Sequence, residues 1–509
     1  MDVLTQGHAP VQPVILVPTA RVAVAEGVRQ RGPAGMVLAA AGLASVWIAW
    51  VLLRRDEGLG TPAYDQAFFQ QVVWNVGHGH GFTSSFGANS FLGLHFSPLL
   101  LVPAGLELFW TDPRMLTLIN AFSIALAAPA AFLFLRAAFA PSRRGAYLAA
   151  GLAAALPFTP IMQEAARAGF HTEAMAVPAA LLAGWAGLTR RPALMWVAAA
   201  VALLAKEDQV YTIAVIGLLV AVHGCSGMRR QGYLMVTIAV IWGVTVFAVI
   251  MPALRSGAQP DTANYYGWLG TGPVAVLAPL REPAAVWAQL SSPAGWTAAA
   301  VLIACCCGLP LLRPGWMILI LPPLVANLLS RHYPQPALHL QYGLLLVVPA
   351  MVATGMGGRR ALALTEHFRL GPAKPRAWLL RTATPALVLF AAPGLVLGAM
   401  LGMLPPSGHA QAVFAREAGL NRLLSITAVI PPDAPVAADD DVGAPLASRT
   451  ELLILPRSCP DCYVVVDRVP SPESFMSPQD RRILLAQLPL HRRLLADDGR
   501  YQVWSPVDV

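Results

Sequence analysis

Residues 34–53, AGMVLAAAGLASVWIAWVLL, carry no charge over about the length a helix needs to cross a bilayer, and comparable stretches recur to residue 404. In hydrocarbon the backbone has no water to bond, so such segments must close their hydrogen bonds internally, as helices. The repetition therefore defines a polytopic α-helical membrane protein. A chain that is 56% hydrophobic and 12% charged, with mean hydropathy +0.58, has too little polar surface to face water throughout. Chemistry must sit where polar residues interrupt the apolar spans.

The net charge of +8 does not mark a nucleic-acid binder, because the basic residues fall in short clusters between spans. Arg29 and Arg31 precede the first span. Arg136, Arg143 and Arg144, then Arg190 with Arg191, and Arg229 with Arg230, follow later ones. Arg313 and the group Arg359, Arg360, Arg369, Lys374, Arg376 and Arg381 complete the series. Short basic loops stay on the cytoplasmic side. Spans are read near 34–53, 114–137, 145–160, 174–189, 192–206, 208–223, 232–252, 294–312, 315–330, 338–356 and 382–404, about eleven transmembrane helices in all. Residues 1–33 lack an apolar core followed by a small-residue cleavage site, so 34–53 reads as a retained span. The odd count keeps 1–33 in the cytoplasm and puts both a first loop, 54–113, and the tail, 405–509, outside.

Residues 96–111 are apolar but short, and Pro98 and Pro103 break them. Counting them as a span would put Arg143 and Arg144 outside, so they are expected to lie at the outer interface. After Leu404 the composition changes. An amphipathic helix over 411–425 is expected to precede β-like runs at Pro435–Ala438, Leu452–Leu455, Tyr463–Val466 and Tyr501–Trp504, with a helix over 478–495 between the last two. Strands alternating with helices imply a small α/β domain. Cys225 and Cys305–Cys307 lie in apolar segments and read as buried thiols, whereas Cys459 and Cys462 form CPDC in the tail. Outside the cytoplasm that pair suits a local disulfide.

The first loop is the most informative polar segment. It holds Asp65, His78, His80, His95, Asn75 and Asn89 among many aromatics. Asp65 precedes a helix-like run, Gln66–Val76, at the membrane surface. A carboxylate there suits proton abstraction from a hydroxyl or binding of a divalent metal; the plain alternative is a helix N-cap. The three histidines raise zinc, but the glycines between His78 and His80 favour a turn. Other external groups are His171 and Glu173 in RAGFHTEAM, with Glu164 and Arg167; the run Lys206, Glu207, Asp208; and Arg331, His332 and Tyr333 with His339 and Gln341. Lys206 reads either as half of a self-neutralising pair or as a phosphate ligand, and Arg331 as an outward anion site. Tyr265, Tyr266 and Trp268 suit sugar stacking or the interfacial belt.

The order Tyr64-Asp65-Gln66, Asn75, His95-Phe96-Ser97-Pro98 and Arg114-Met115-Leu116 resembles the GT-C superfamily of integral-membrane glycosyltransferases. The closer resemblance is to a bacterial family of polytopic membrane proteins, a domain of unknown function within or near that superfamily. It rests on the YDxxxxxxxWN and HFSP strings, Lys206-Glu207-Asp208, Gln341-Tyr342 and a tail running from PDAPVA to YVVVD. The resemblance implies a GT-C-like bundle in the bacterial inner membrane with a periplasmic C-terminal domain. It implies an inverting transferase that takes a sugar from a polyprenyl phosphate and gives it to a glycan, lipid or protein acceptor, with Asp65 as general base. His95, His171, Glu173, Lys206, Glu207, Tyr265, Tyr266 and Arg331 would bind substrate. This loop shows one lone Asp where many relatives have an acidic pair, so metal use stays open. The competing reading is a transporter or flippase for a lipid-linked or anionic substrate; no phosphate loop for nucleotide-driven transport occurs.

Overall fold

The computed structural model describes residues 20–507 except 62, 88–89, 140–141, 258, 261, 271–280, 368–374, 470–473 and 475, with side chains except at 20–31 and 365–387. Expectations for residues 1–19, Asn89, Arg369 and Lys374 lie outside the described residues. Among those described, five helices are long and apolar enough to cross a membrane: Gly32–Glu57, Arg114–Ala138, Arg143–Arg167, Ser226–Arg255 and Leu340–Leu364. Shorter apolar helices of 10–17 residues accompany them, among them Glu173–Leu188, Pro192–Ala205, Gln209–His223 and Pro293–Cys305. Two expected spans are broken. Residues 294–312 divide into Pro293–Cys305 and Leu309–Leu312, and 315–330 into Pro314–Met317, Ile318–Ile320 and Leu321–Leu328. Pro310, Pro314, Pro322 and Pro323 account for the breaks, since each removes a helical donor.

The Arg114–Ala138 helix is the hub of the bundle, packing on Glu173–Leu188, on the first helix and on Arg143–Ala155. Its buried Ala121, Ala125, Ala127, Ala128 and Ala131 let neighbouring backbones come close. The hairpin of Gln209–His223 and Ser226–Thr245 is closer still: a Cβ on Gly232 would lie 2.3 Å from the Ala221 backbone nitrogen. Only glycine fits there.

Residues 98–107 form a single short helix of about 15 Å, half the hydrocarbon thickness. It leaves Leu101, Val102, Leu106, Leu108 and Phe109 exposed, a face suited to lie in an interface.

The tail contains a five-stranded sheet, β1 (Val436–Ala438), β2 (Leu452–Ile454), β3 (Tyr463–Asp467), β4 (Arg492–Asp497) and β5 (Tyr501–Val507), in the order β2-β1-β3-β5-β4. β1 runs parallel to β2 and β3, while β5 is antiparallel to β3 and β4. A buried charge cluster ties its layers: Arg481 spans both oxygens of Asp439 at 2.7 Å, and Arg500 pairs with Asp467 at 2.9 Å. Cys459 and Cys462 are bridged.

Two expectations for the tail need correction. The helix expected over 478–495 ends at His491, and 492–497 is strand β4. The signal was Asp498-Gly499: Gly499 has φ +90°, the conformation a tight hairpin between β4 and β5 demands. The single helix expected over 411–425 is two, Gly408–Ala415 and Leu420–Thr427. At the break the Gly419 N–H donates to Glu57 O (2.8 Å) and Arg54 donates to Arg416 O (2.8 Å). Docking on the end of the first helix takes the backbone groups that a continuous helix would have used.

The first loop is clamped between bundle and sheet. From the Phe68–Gly77 helix, Gln71 donates to Arg449 O (3.2 Å) and Thr450 O (3.0 Å) and accepts from Ser85 N (2.9 Å), while Gln70 donates to Ser448 Oγ (3.0 Å). Ser85 completes the clamp, donating to Leu452 O (2.6 Å) and accepting from Leu452 N (3.0 Å). Gln71→Leu strands these buried groups at a cost of about 1–3 kcal/mol each. It is expected to lower the unfolding temperature in detergent and to speed proteolysis between the bundle and β1. Unchanged protease resistance would show that the sheet docks without it.

Candidate functional site

The first helix ends at Glu57, and the chain turns back through Gly58–Gly60, where Arg55 Nε donates to Gly60 O (2.7 Å) and Arg55 Nη1 donates to Arg167 O. The next element is a π-helical turn, Ala63–Ala67, which leads straight into the Phe68–Gly77 helix. Such turns displace side chains from the regular helical path. Asp65 lies within this turn, so it is not the helix N-cap; Ala67 occupies that position.

Gln66 points the other way and fixes the wall. Its amide donates to Pro113 O (3.1 Å) and accepts from Phe170 N (3.0 Å). Asn120 donates to Gly169 O (2.8 Å) and Ala166 O (3.2 Å). Gly169 has φ +90°, and a Cβ there would lie 3.2 Å from Gln66 Oε1, so the turn demands glycine. This turn presents His171, whose Nε2 is 3.7 Å from Asp65 Oδ1 and whose ring meets Phe69 edge-on at 5.0 Å.

The Asp65 side chain is 26% exposed, and among the described residues its carboxylate accepts no hydrogen bond. An ionised carboxylate is an acceptor with several lone pairs, and leaving them empty in a sheltered place is costly. Partial burial raises the Asp65 pKa above the ordinary carboxylate value, opposed by the nearby His171, Arg55 and His332. Burial lowers that of His171 and favours the neutral imidazole.

Behind His171 lies a chain of paired charges. Lys206 Nζ is 2.5 Å from Glu173 Oε1 and 3.8 Å from Asp208 Oδ2. Glu207 accepts from the Phe96 N–H (2.9 Å) and sits 3.1 Å from His95 Nδ1. The HFSP and KED strings, 112 residues apart at His95 and Glu207, therefore meet. Lys206 is neutralised by acids from its own turn and from the start of the Glu173–Leu188 helix.

The 331–342 segment closes the opposite side. His332 stacks on Tyr265 at 4.6 Å and meets Tyr342 edge-on at 5.8 Å. Arg331 turns away, its guanidinium 4.7 Å over Trp268. The Tyr266 hydroxyl is used structurally, donating to Ala326 O (3.1 Å) and accepting from Gln335 (2.6 Å). Glu164 gathers Arg167 (2.8 Å), His339 (3.3 Å) and Leu340 N (3.3 Å). Arg167 Nε is buried and has no hydrogen-bond partner among the described residues.

Glu164, His339 and His409 line a cavity of about 760 Å³ whose walls are otherwise mostly apolar, among them Ile161, Val301, Leu302 and Leu401. A second cavity of about 430 Å³ lies between the first loop and the tail, lined by Asp56, Trp110, Asp112, Arg114, Asp441 and Ser448, with Gln66 in its wall.

Residues 55–506 match the family model of a predicted membrane protein, DUF2079. The chain belongs to that family. It is the family of polytopic membrane proteins that the motifs resemble. No curated protein matches the chain. Among the solved structures similar in fold are two of one protein. One is ArnT from Cupriavidus metallidurans bound to undecaprenyl phosphate, 16% identical, covering 92% of this chain and 98% of its own, TM-score 0.49. The other is ArnT from the same organism in the apo state, 17% identical with the same coverage and TM-score 0.49.

In this member of the DUF2079 family, the structure pairs Asp65 with His171, Glu173 with Lys206 and Glu207 with His95, three neighbouring polar groups, while Tyr265 stacks on His332. Arg331 and Tyr266 are engaged elsewhere. Sequence reasoning gave no weight to Asn120 or Arg55, which bond backbone carbonyls, took Gln66 only as part of the Tyr64-Asp65-Gln66 string, and underweighted Arg167 and His332. The one available signal for Arg167 was its spacing from Glu164, three residues along a helix. Among the described residues no group of three or more His, Cys, Asp or Glu side chains converges as a metal site. His78 stacks on Trp74 at 4.2 Å and His95 is taken by Glu207, so the first-loop histidines do not form a zinc set.

Removing one partner of a buried ion pair leaves an uncompensated charge, a loss of about 3–5 kcal/mol. Lys206→Met is therefore expected to lower the thermal unfolding temperature markedly, and Glu173→Gln in the same chain to restore part of the loss. An unaltered unfolding temperature for Lys206→Met would mean that the pair carries no structural load.

Proposed function

We propose that this chain is a GT-C-type glycosyltransferase of the bacterial inner membrane, moving a sugar from a polyprenyl-phosphate donor to an acceptor hydroxyl at the outer face. The observation that carries this reading is the Asp65 carboxylate: sheltered, held from behind by the His171 turn, and accepting no hydrogen bond from the described residues. A hydroxyl entering that space supplies the missing donor. As the hydroxyl oxygen attacks the anomeric carbon, its proton passes to Asp65 and the bond from that carbon to the phosphate oxygen breaks, with inversion at the sugar. The motif order that resembles GT-C transferases supports the same reading.

The leaving phosphate needs fixed positive charge or donors, the largest electrostatic demand of such a step. Arg167 meets it, with a buried Nε that has no hydrogen-bond partner among the described residues, and Arg55 lies beside it. The mostly apolar lining of the cavity that Glu164 and His339 share suits a polyprenyl chain. Tyr265 offers an aromatic face to the sugar. Lys206, Glu173, Glu207 and His95 act on this view as the support that holds His171 against Asp65.

The same reading puts 1–33 in the cytoplasm and both 54–113 and the 405–509 domain in the periplasm. A cysteine introduced as Thr450→Cys, at an exposed position, is expected to react with a membrane-impermeant maleimide from the periplasmic side. Labelling only after the inner membrane is opened would reverse the topology.

With purified protein and a lipid-linked sugar, Asp65→Asn is expected to reduce turnover at least about 100-fold with unfolding temperature unchanged, because an amide cannot take the proton. In the parent, the active form is the carboxylate, so activity falls as pH drops through the Asp65 pKa. Because that pKa is raised, the acid limb lies above the ordinary value of about 3.9. Full activity in Asp65→Asn, or an acid limb at the ordinary carboxylate value, would overturn the assignment.

A further inference from the structure

The last turn of the first membrane helix carries Arg54 and Arg55, and the tail brings a third guanidinium to the same corner. Arg54 is matched by Glu57 at 3.3 Å, and its Nη2 donates to Arg416 O (2.8 Å), which fixes where the tail meets the helix. The Arg416 side chain then lies across Gly58 and Gly60. A Cβ on Gly58 would stand 3.0 Å from Arg416 Cβ, and one on Gly60 would stand 3.0 Å from Arg416 Nη1 and 3.1 Å from Arg55 Cγ. The Gly58-Leu59-Gly60 turn is therefore a bare floor on which two arginine side chains come together. Arg55 donates from Nε to Gly60 O (2.7 Å) and from Nη1 to Arg167 O, and Arg416 donates from Nη1 to Leu59 O (3.4 Å). Those acceptors are neutral carbonyls, so they satisfy donors without balancing charge. Among the described residues no carboxylate forms an ion pair with Arg55 or Arg416. Asp56 is bonded by the hydroxyls of Thr61 (2.5 Å) and Thr117 (2.8 Å), and Glu164 by Arg167 (2.8 Å). Arg55 Nη2 and Arg416 Nε and Nη2 have no hydrogen-bond partner among the described residues, and both arginines are half-buried. A helix C-terminus favours a nearby cation, but two like charges held together in a sheltered corner repel, and an anion between them would relieve it.

We propose that Arg55 and Arg416 form a binding site for the phosphate of a lipid, with the C-terminal tail supplying half of it. The inference goes beyond the glycosyl-transfer reading and stands without it. A guanidinium matches phosphate because its planar fork gives two parallel bonds to two oxygens. Here the bonded N–H groups hold each fork in place, and the remaining ones are left for the ligand. The corner lies at the end of a helix long and apolar enough to cross a membrane, the level at which a lipid carries its phosphate. A phosphate monoester, with a charge of about −1.5 to −2 at neutral pH, fits two unpaired cations better than a zwitterionic diester does. Two sources have that chemistry: a polyprenyl phosphate, and a bilayer lipid such as phosphatidic acid. Either occupant ties the tail to the bundle, since each contributes one guanidinium.

The test uses the full chain in detergent, titrated with short-chain phosphatidic acid, a short-chain polyprenyl phosphate and, for comparison, phosphatidylcholine of the same chain length. Affinity is read from the dose-dependent rise in unfolding temperature. The parent is expected to respond to both or either of the monoesters and not to phosphatidylcholine. Arg416→Gln should weaken monoester binding about tenfold or more. Arg482→Gln, which removes the same charge from an exposed arginine of the tail, should leave it unchanged. The Arg416 side chain makes one long bond to the rest of the fold, so the unfolding temperature without lipid should hold. Should it fall, Arg416→Lys carries the test: it keeps the charge, loses the planar fork, and is expected to bind about threefold or more less tightly. A loss confined to polyprenyl phosphate identifies the occupant as the lipid carrier; a loss that includes phosphatidic acid identifies a site open to bilayer lipid. Monoester binding unaltered in the Arg416 variants, equal losses in Arg416→Gln and Arg482→Gln, or a parent indifferent to both monoesters would overturn the site.

Discussion

The surroundings of Asp65 depend on a row of buried glutamines. Gln66, Gln70 and Gln71 are all nearly inaccessible, and each bonds a different part of the molecule: Gln66 the Phe170 turn and Pro113, Gln70 Glu107 and the tail, Gln71 the tail and the Ser85 loop. A buried amide is unfavourable unless its polar atoms are satisfied. Both ends of Gln66 and Gln71 are, whereas Gln70 bonds through its Nε2 and its Oε1 has no partner among the described residues. The π-turn that carries Asp65 is thereby held between the bundle and the sheet unit. The carboxylate owes its position to neighbours that touch no substrate.

The cost of this arrangement shows in the charges. Asp65 is left with vacant acceptor capacity, whereas Glu173, Glu207 and Lys206 have found close partners. Desolvated ions are tolerated when paired and become functional when left incomplete. Among the described residues Asp65, the Nε of Arg167 and the Oδ1 of Asn120 lack a hydrogen-bond partner near the Gly169 turn, and the two ionisable groups differ in sign. That asymmetry suits a reaction in which one group meets a proton and the other an oxyanion.

Much of the fold was legible because membranes allow few solutions. Uncharged stretches had to be helices, and the composition break after Leu404 marked a separate α/β unit. The short 98–107 helix was legible from its length and prolines. What escaped were features set by tertiary contact. The hairpin of β4 and β5 replaced the end of an expected helix because Asp498-Gly499 permits a turn that helical periodicity does not reveal. The helix over 411–425 broke because Gly419 is wanted by Glu57, a partner some 360 residues away. At the site, charged and histidine residues stood out in external loops, but pairing did not: nothing in Lys206 itself shows that Glu173 will take it, or that Arg331 will turn to Trp268. The HFSP and KED strings were recognisable separately, and only the fold shows that they form one contact through Glu207.

The proposed function requires a lipid chain, a phosphate and a hydroxyl to meet beside Asp65 and Arg167. The most direct measurement is an experimental structure of the full chain in nanodiscs with a non-reactive phosphonate analogue of a polyprenyl-linked sugar. The account predicts the chain in the cavity beside Ile161 and Leu401, the phosphonate within hydrogen-bond reach of Arg167 Nε, and the sugar between Tyr265 and Asp65. Density for the analogue at another face of the bundle, with Asp65 and Arg167 left untouched, would contradict it.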